Sequence, residues 1–137
     1  MRQDGRLSRM LHVLIHMDKH HGAMTSEMIA QMLDANPVVI RRTMAGLRDA
    51  GFVLSEKGHG GGWRLARPLD QLTLLDIHTA VGEPSIFAVG PAYDMPGCLI
   101  EQAVNTTLTG VFDEAEKLLR SRFAEVTLAD VAKGLAG

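Results

Sequence analysis

Residues 25–51 read TSEMIAQMLDANPVVIRRTMAGLRDAG. Thr25 and Ser26 offer hydroxyl oxygens to cap a short helix, SEMIAQMLD, whose inward positions are expected to be Met28/Ile29 and Met32/Leu33. Asp34-Ala35-Asn36-Pro37 then makes a tight turn. Asn36 is a good N-cap, and Pro37 suits the first helical position, where its missing N–H costs nothing. The helix that follows buries Ile40, Met44 and Leu47 and runs out at Gly51. Two short helices separated by such a turn predict a helix-turn-helix.

The outward positions of the second of these helices are unusual for a merely solubilising face. Val38, Val39, Arg41, Arg42 and Thr43 combine guanidinium forks with small apolar groups close to Pro37. Arginine forks pair with guanine edges or clamp phosphates, and valine or threonine methyls meet the thymine methyl. A plain three-helix bundle with a basic surface is the competing reading. The next segment, FVLSEKGHGGGWRLAR at 52–67, is strand, glycine-rich loop, strand, hence a β-hairpin. Glycines allow such a tip to approach another surface closely, and Lys57, His59 and Arg64 suit a place beside phosphates or in a minor groove. The loop is not a nucleotide cradle: it lacks the G-x-x-x-x-G-K-[ST] spacing and leads into a strand.

In the other direction, residues 7–20 place Leu7, Met10/Leu11, Leu14/Ile15 and Met17 at three- and four-residue spacings, an amphipathic helix stopped by His20-His21-Gly22. Beyond the hairpin, TLLDIHTAV at 73–81 is a short helix capped by Thr73, and the proline- and glycine-bearing stretch 83–96 is a loop. From Gly97 to Val126 the pattern is helical again. Ile100, Val104, Leu108, Val111, Ala115 and Leu118 form a stripe that Leu99, Ala103, Phe112, Leu119 and Phe123 widen. So wide an apolar face on a helix about 40 Å long exceeds what a core of some 80 residues can cover, so a second copy across a two-fold axis is expected, with Thr127–Val131 a last short helix docking on it.

The run from Thr25 to Val53, the S-x-K-G-x-G-G-G-W-R-L-A-R-P hairpin and the LTLLDIHTAVGEP step after it resemble the IscR-type (Rrf-type, IscR/NsrR-like) winged-helix regulators, most strongly over residues 1–85. The resemblance implies a homodimer on a palindromic double-stranded DNA operator, the helix from Pro37 in the major groove and the hairpin in the minor groove. The residue pattern itself reads as mainly α with a small β-hairpin: a winged helix-turn-helix at 1–82, a loop at 83–96, and a dimerisation helix with a short terminal helix at 97–137; a repressor is the expected role. The expected DNA-facing residues are Ser26, Pro37, Val38, Val39, Arg41, Arg42, Thr43, Lys57, His59, Gly60 and Arg64. The expected dimer residues are Ile100, Val104, Leu108, Val111, Phe112, Ala115, Leu118 and Leu119.

Family members that hold an iron–sulfur cluster supply three cysteines. This chain has Cys98 alone, matching the last of them, so no cofactor is expected. Near a helix start, Cys98 is a candidate thiol sensor or simply a small residue there. His12, His16 and His20 recur at i, i+4 and i+8, a spacing that can bind a transition metal but lacks the ligand set of a closed site; a solvated face is preferred, and no metal is expected.

Composition agrees with this picture. The 137 residues are 46% hydrophobic and only 4% aromatic, so the core is aliphatic, with eight methionines as filler. Net charge is −2, yet residues 1–67 hold ten Lys/Arg against six acids and residues 68–137 four against ten. A basic first half joined to an acidic second half suits a nucleic-acid module with a separate assembly element. With no apolar run of membrane length, no signal-like leader and one cysteine, a cytoplasmic protein is expected. No nucleophile–base set or dinucleotide fingerprint suggests an enzyme. The alternatives are a winged-helix protein-interaction module without DNA binding, or a regulator that senses metal through its histidines; the effector is unknown.

Overall fold

A computed structural model describes residues 4–58, 61–87 and 89–135. The elements follow in the order α1 (Arg6–Lys19), α2 (Ser26–Leu33), α3 (Pro37–Asp49), β1 (Val53–Ser55), β2 (Trp63–Leu65), α4 (Leu74–Ala80), α5 (Leu99–Glu125) and α6 (Leu128–Ala132). The mainly helical architecture with one small hairpin is the fold class that the sequence predicts. Among the described residues no helix is long and apolar enough to cross a membrane.

Local chemistry sets the helix ends. Thr25 Oγ1 accepts from the Met28 amide at 3.1 Å, Asn36 Oδ1 accepts from the Val38 amide at 2.8 Å, and Pro37 opens α3. Between them, Asp34 leaves α2 in the left-handed region at φ 51°. Buried Met10, Val13, Leu14 and Met17 of α1 meet Ile29 of α2 and Ile40, Met44 and Leu47 of α3 in a single core, closed by Val53, Leu72 and Ile77.

The face of α2 differs from the expected one. At 100° per residue Ser26, Ile29, Ala30 and Leu33 share a side, and Ser26, Ile29 and Ala30 are buried whereas Met28 is exposed. An eight-residue helix containing M-I-A-Q-M-L has apolar residues in more than one phase, and packing against the hairpin selects among them.

β1 and β2 pair antiparallel, with Val53 opposite Leu65 and Ser55 opposite Trp63. Met24, just ahead of α2, adds a one-residue third strand: its amide donates to the Trp63 carbonyl at 3.0 Å and its carbonyl accepts from the Trp63 amide at 2.8 Å. The helix-turn-helix is thereby sewn to the hairpin at its entry as well as its exit.

The C-terminal end does not stand apart. Thr73-Leu74-Leu75-Asp76 and Thr127-Leu128-Ala129-Asp130 each form a reciprocal capping box, and Thr73 and Thr127 lie side by side in an antiparallel bridge. The Leu74 amide donates to Val126 O (2.9 Å), and the Leu128 amide to Leu72 O (2.8 Å). Leu128 is fully buried in the head core. The expectation that Thr127–Val131 docks on a second copy is therefore corrected: α6 closes its own chain's head, because its apolar side chain and its backbone partners both lie there.

Between these anchors α5 runs for 27 residues without one fully buried side chain. Its apolar residues separate into two adjoining stripes, about 90° apart at 100° per residue. Leu108, Phe112, Ala115, Leu119 and Phe123 are half-buried, Phe112 stacking on Phe87 at 5.6 Å and Phe123 meeting His78 edge-on at 5.7 Å. Ile100, Val104, Val111 and Leu118 are exposed, Ile100 by 76% and Leu118 by 74%.

Because Leu128 completes the head core, Leu128→Ala is expected to lower unfolding stability by about 2–5 kcal/mol. Urea unfolding followed by circular dichroism measures this. A loss under about 1 kcal/mol would mean that α6 is outside the cooperative unit.

Candidate nucleic-acid interface

Burying Ile40, Met44 and Leu47 turns the opposite side of α3 outward. Val38 and Val39 are each about half exposed, and Arg41 and Arg42 are exposed beside them. Thr43 is only half-exposed, and its hydroxyl donates to Val39 O one turn back at 3.0 Å. Pro37, at the first helical position, is half-buried. Most of the predicted surface of this helix is thus present as one contiguous face.

The two arginines of α3 differ. Arg41 is ion-paired with Glu27 of α2, which stays exposed; the Glu27 carboxyl is held below the usual carboxylate range by its own backbone amide and then by Arg41. Arg42 makes no ion pair with a described residue. An exposed pair of this kind contributes little to stability, but it orients Arg41 across the gap between α2 and α3. Nothing local in the sequence marks Glu27, fourteen residues away, as this partner.

Ser26 was expected at the DNA surface. Its side chain is instead only 6% exposed, and its hydroxyl accepts from the Trp63 indole N–H at 3.0 Å. This is a correction: the oxygen satisfies a buried donor of the hairpin, which would otherwise be left unpaired, and Thr25 does the capping.

On the hairpin, Lys57 is exposed and Arg64 is ion-paired with Glu56, just past the end of β1. His59 and Gly60, expected at the tip, lie outside the described residues. Behind the tip the glycines have a structural cause that the sequence does not disclose. A Cβ at Gly62 would sit 2.4 Å from the Met24 carbonyl oxygen, and one at Gly61 2.4 Å from that of Glu56. The backbone of the Met24 bridge passes where a side chain at 62 would be, and the hairpin's own backbone at Glu56 and Gly58 does so at 61. Arg48 lies over the Trp63 ring, 6.0 Å from its centroid.

The remaining candidates fall elsewhere. His12 and His16 are neighbours, ring centroids 4.7 Å apart, while the His20 ring lies 3.1 Å from Gly22 O; among the described residues no three His, Cys, Asp or Glu side chains converge on a metal-sized site. Cys98 is the half-buried N-cap of α5 and makes no side-chain cap bond. Of the expected dimer residues, Ile100, Val104, Val111 and Leu118 are outward, and Leu108, Phe112, Ala115 and Leu119 lean on their own chain.

A helix-turn-helix with an outward second helix beside a β-hairpin defines the winged-helix class of transcription regulators. The chain belongs to the Rrf2 family, whose description, iron-dependent transcriptional regulator, matches residues 4–134. It is 30% identical over 135 residues to YwnA of Bacillus subtilis (strain 168), named as an HTH-type transcriptional regulator, with 96% of this chain and 98% of that protein covered. A solved transcriptional regulator from Lactobacillus plantarum is similar at TM-score 0.78 and 28% identity, covering 96% of this chain and 90% of that one. IscR of T. potens shares the fold at TM-score 0.68 and 20% identity, with 98% and 88% covered.

The family's description names iron, but the donors here do not fit an iron–sulfur group. Cys98 is the chain's single cysteine, and such clusters are held by several thiolates or close substitutes. The nearest carboxylate in sequence, Glu101, already accepts the Asp94 and Met95 amides at 3.2 and 3.0 Å.

Two glycines test the distinction between forced and incidental positions. Gly62→Ala must displace the Met24 backbone and is expected to destabilise by roughly 1–3 kcal/mol. Gly110→Ala on α5, with nothing within 4 Å of its Cβ, should stabilise by roughly 1 kcal/mol. Thermal melts of the pair should therefore shift in opposite directions; a neutral Gly62→Ala would refute the close approach.

Proposed function

We propose that the protein is a sequence-specific, cytoplasmic DNA-binding repressor that sits as a homodimer on a palindromic operator, with no iron–sulfur cluster. The observation that carries this reading is the outward face of α3, where Val38, Val39 and Arg42 stand together with Arg41 at its edge. That face presents both the fork geometry for guanine or phosphate and the apolar groups for thymine methyls. Arg42 and Lys57 make no ion pair with described residues and are available to phosphates, whereas Arg41 must exchange Glu27, and Arg64 must exchange Glu56, to reach DNA. Repression requires only occupancy of the operator.

The dimer is supported by the exposed Ile100/Val104/Val111/Leu118 stripe, which a second α5 would cover by the same residues in return. Neutralisation of Arg41 and Arg64 favours, as the second reading, a winged-helix module that binds protein rather than DNA.

Gel-shift titration against a selected palindromic site, repeated across salt concentrations, separates these readings. Arg42→Ala is expected to weaken operator binding by about 1–3 kcal/mol. Loss confined to the preferred sequence means base reading; equal loss on all sequences means phosphate contact. Absence of any sequence preference or salt slope would sink the proposal. Separately, Val111→Asp should convert the dimer to monomers in light scattering, and an unchanged mass would remove α5 as the interface.

A further inference from the structure

A cavity of about 340 Å³ opens between α1, α3 and the end of α4. Its floor is apolar: Met10 and Ile40 are nearly fully buried, and Leu33 and Val81 are half-buried around them. The charged residues lining it are all arginines, Arg6, Arg9 and Arg42, and no acidic side chain among the described residues lines it. Arg6 is already committed. Its Nε and NH2 donate to both oxygens of Asp4 at 2.8–3.1 Å, its NH1 reaches Val81 O at 3.3 Å, and it holds the Asp4 carboxyl down at about 2. Arg9 and Arg42 are exposed and make no ion pair with a described residue.

An apolar floor with two unmatched guanidiniums at its mouth complements one kind of molecule, a small body of hydrocarbon or aromatic carbon carrying a single acid group. The volume lies at the lower end of the range for small-molecule sites. We propose that this cavity is an effector site for a small amphipathic carboxylate, its acid group held by Arg9 and Arg42 and its apolar part resting on Met10, Leu33 and Ile40. Arg42 belongs at once to this site and to the outward face of α3. A carboxylate on Arg42 removes a cation from the DNA-reading face, and thermodynamic reciprocity makes operator and ligand weaken each other. This regulatory half rests on the DNA-reading role proposed for α3; the binding site itself does not.

Octanoate is a suitable probe, with octan-1-ol as the uncharged control, titrated into the full-length nitrogen-15-labelled chain. Gly46 and Gly82 both line the cavity, so their amide resonances should shift saturably with octanoate. Octanol should bind roughly 10-fold or more weakly, as should octanoate to Arg9→Gln or Arg42→Gln, since each removes a charge-assisted contact. Shifts confined to Val104, Val111 and Leu118, equal binding of acid and alcohol, or unchanged affinity in both arginine variants would overturn the site. In the operator gel shift, saturating octanoate should weaken binding by the same factor by which operator weakens octanoate. Binding at the cavity with an unmoved operator affinity would overturn the coupling. A chain that fails to bind any DNA leaves the resonance titration able to decide the site by itself.

Discussion

Trp63 holds the two halves of the reading head together. Its backbone pairs with Met24 on one side and Ser55 on the other. Its indole N–H donates to Ser26 at the first turn of α2, and its ring lies beneath Arg48 near the end of α3. One residue therefore touches the entry to the helix-turn-helix, its first helix, its second helix and the hairpin. The rest of the head depends on that knot: the hairpin has two strands of three residues each, too few to be stable unsupported, and the indole donor would be costly to bury without Ser26. Glycine at 62 follows from the same contact, since the Met24 bridge leaves no space for a Cβ there.

The parts of this arrangement that are legible in the sequence are the local ones. Thr25, Asn36, Pro37 and Thr73 announce their helices because a cap is satisfied within three residues of itself. The outward face of α3 is legible too, because a thirteen-residue helix has one dominant apolar phase. Non-local pairings are not. Ser26 reads equally well as a cap, a DNA contact or a core residue until Trp63, 37 positions later, is placed above it. Glu27 and Glu56 look like ordinary surface acids, yet each takes up one of the arginines that the sequence offers to DNA.

The apolar content of α5 shows the same limit in another form. A periodic count merges its residues into one broad stripe and assigns all of it to a partner. The fold divides that stripe. One half lies against the loop before α5 and against α4, through Phe87 and His78, and the other half is left outward. Period alone cannot make this division, because two faces about 90° apart both satisfy three- and four-residue spacing. What decides it is where Phe87 and His78 lie in three dimensions, against Phe112 and Phe123.

That division bears on how a dimer would set the distance between two reading heads. At its start α5 is tied to its loop, since Gln102 donates to Pro96 O, Asn105 donates to Ala92 O, and Glu101 accepts two loop amides. At its end the Thr73–Thr127 bridge and buried Leu128 fasten it to the head core, and Arg120 reaches back to Glu83. A helix held at both ends transmits the geometry of its outward stripe to the head with little slack. In the proposed dimer, pairing Val104 and Val111 with their counterparts would therefore fix where each α3 points, and with it the separation of the two reading heads. Returning α6 to its own head is what makes this workable: without Leu128 in the core, α5 would be a tether, and the spacing between heads would be set by chain flexibility.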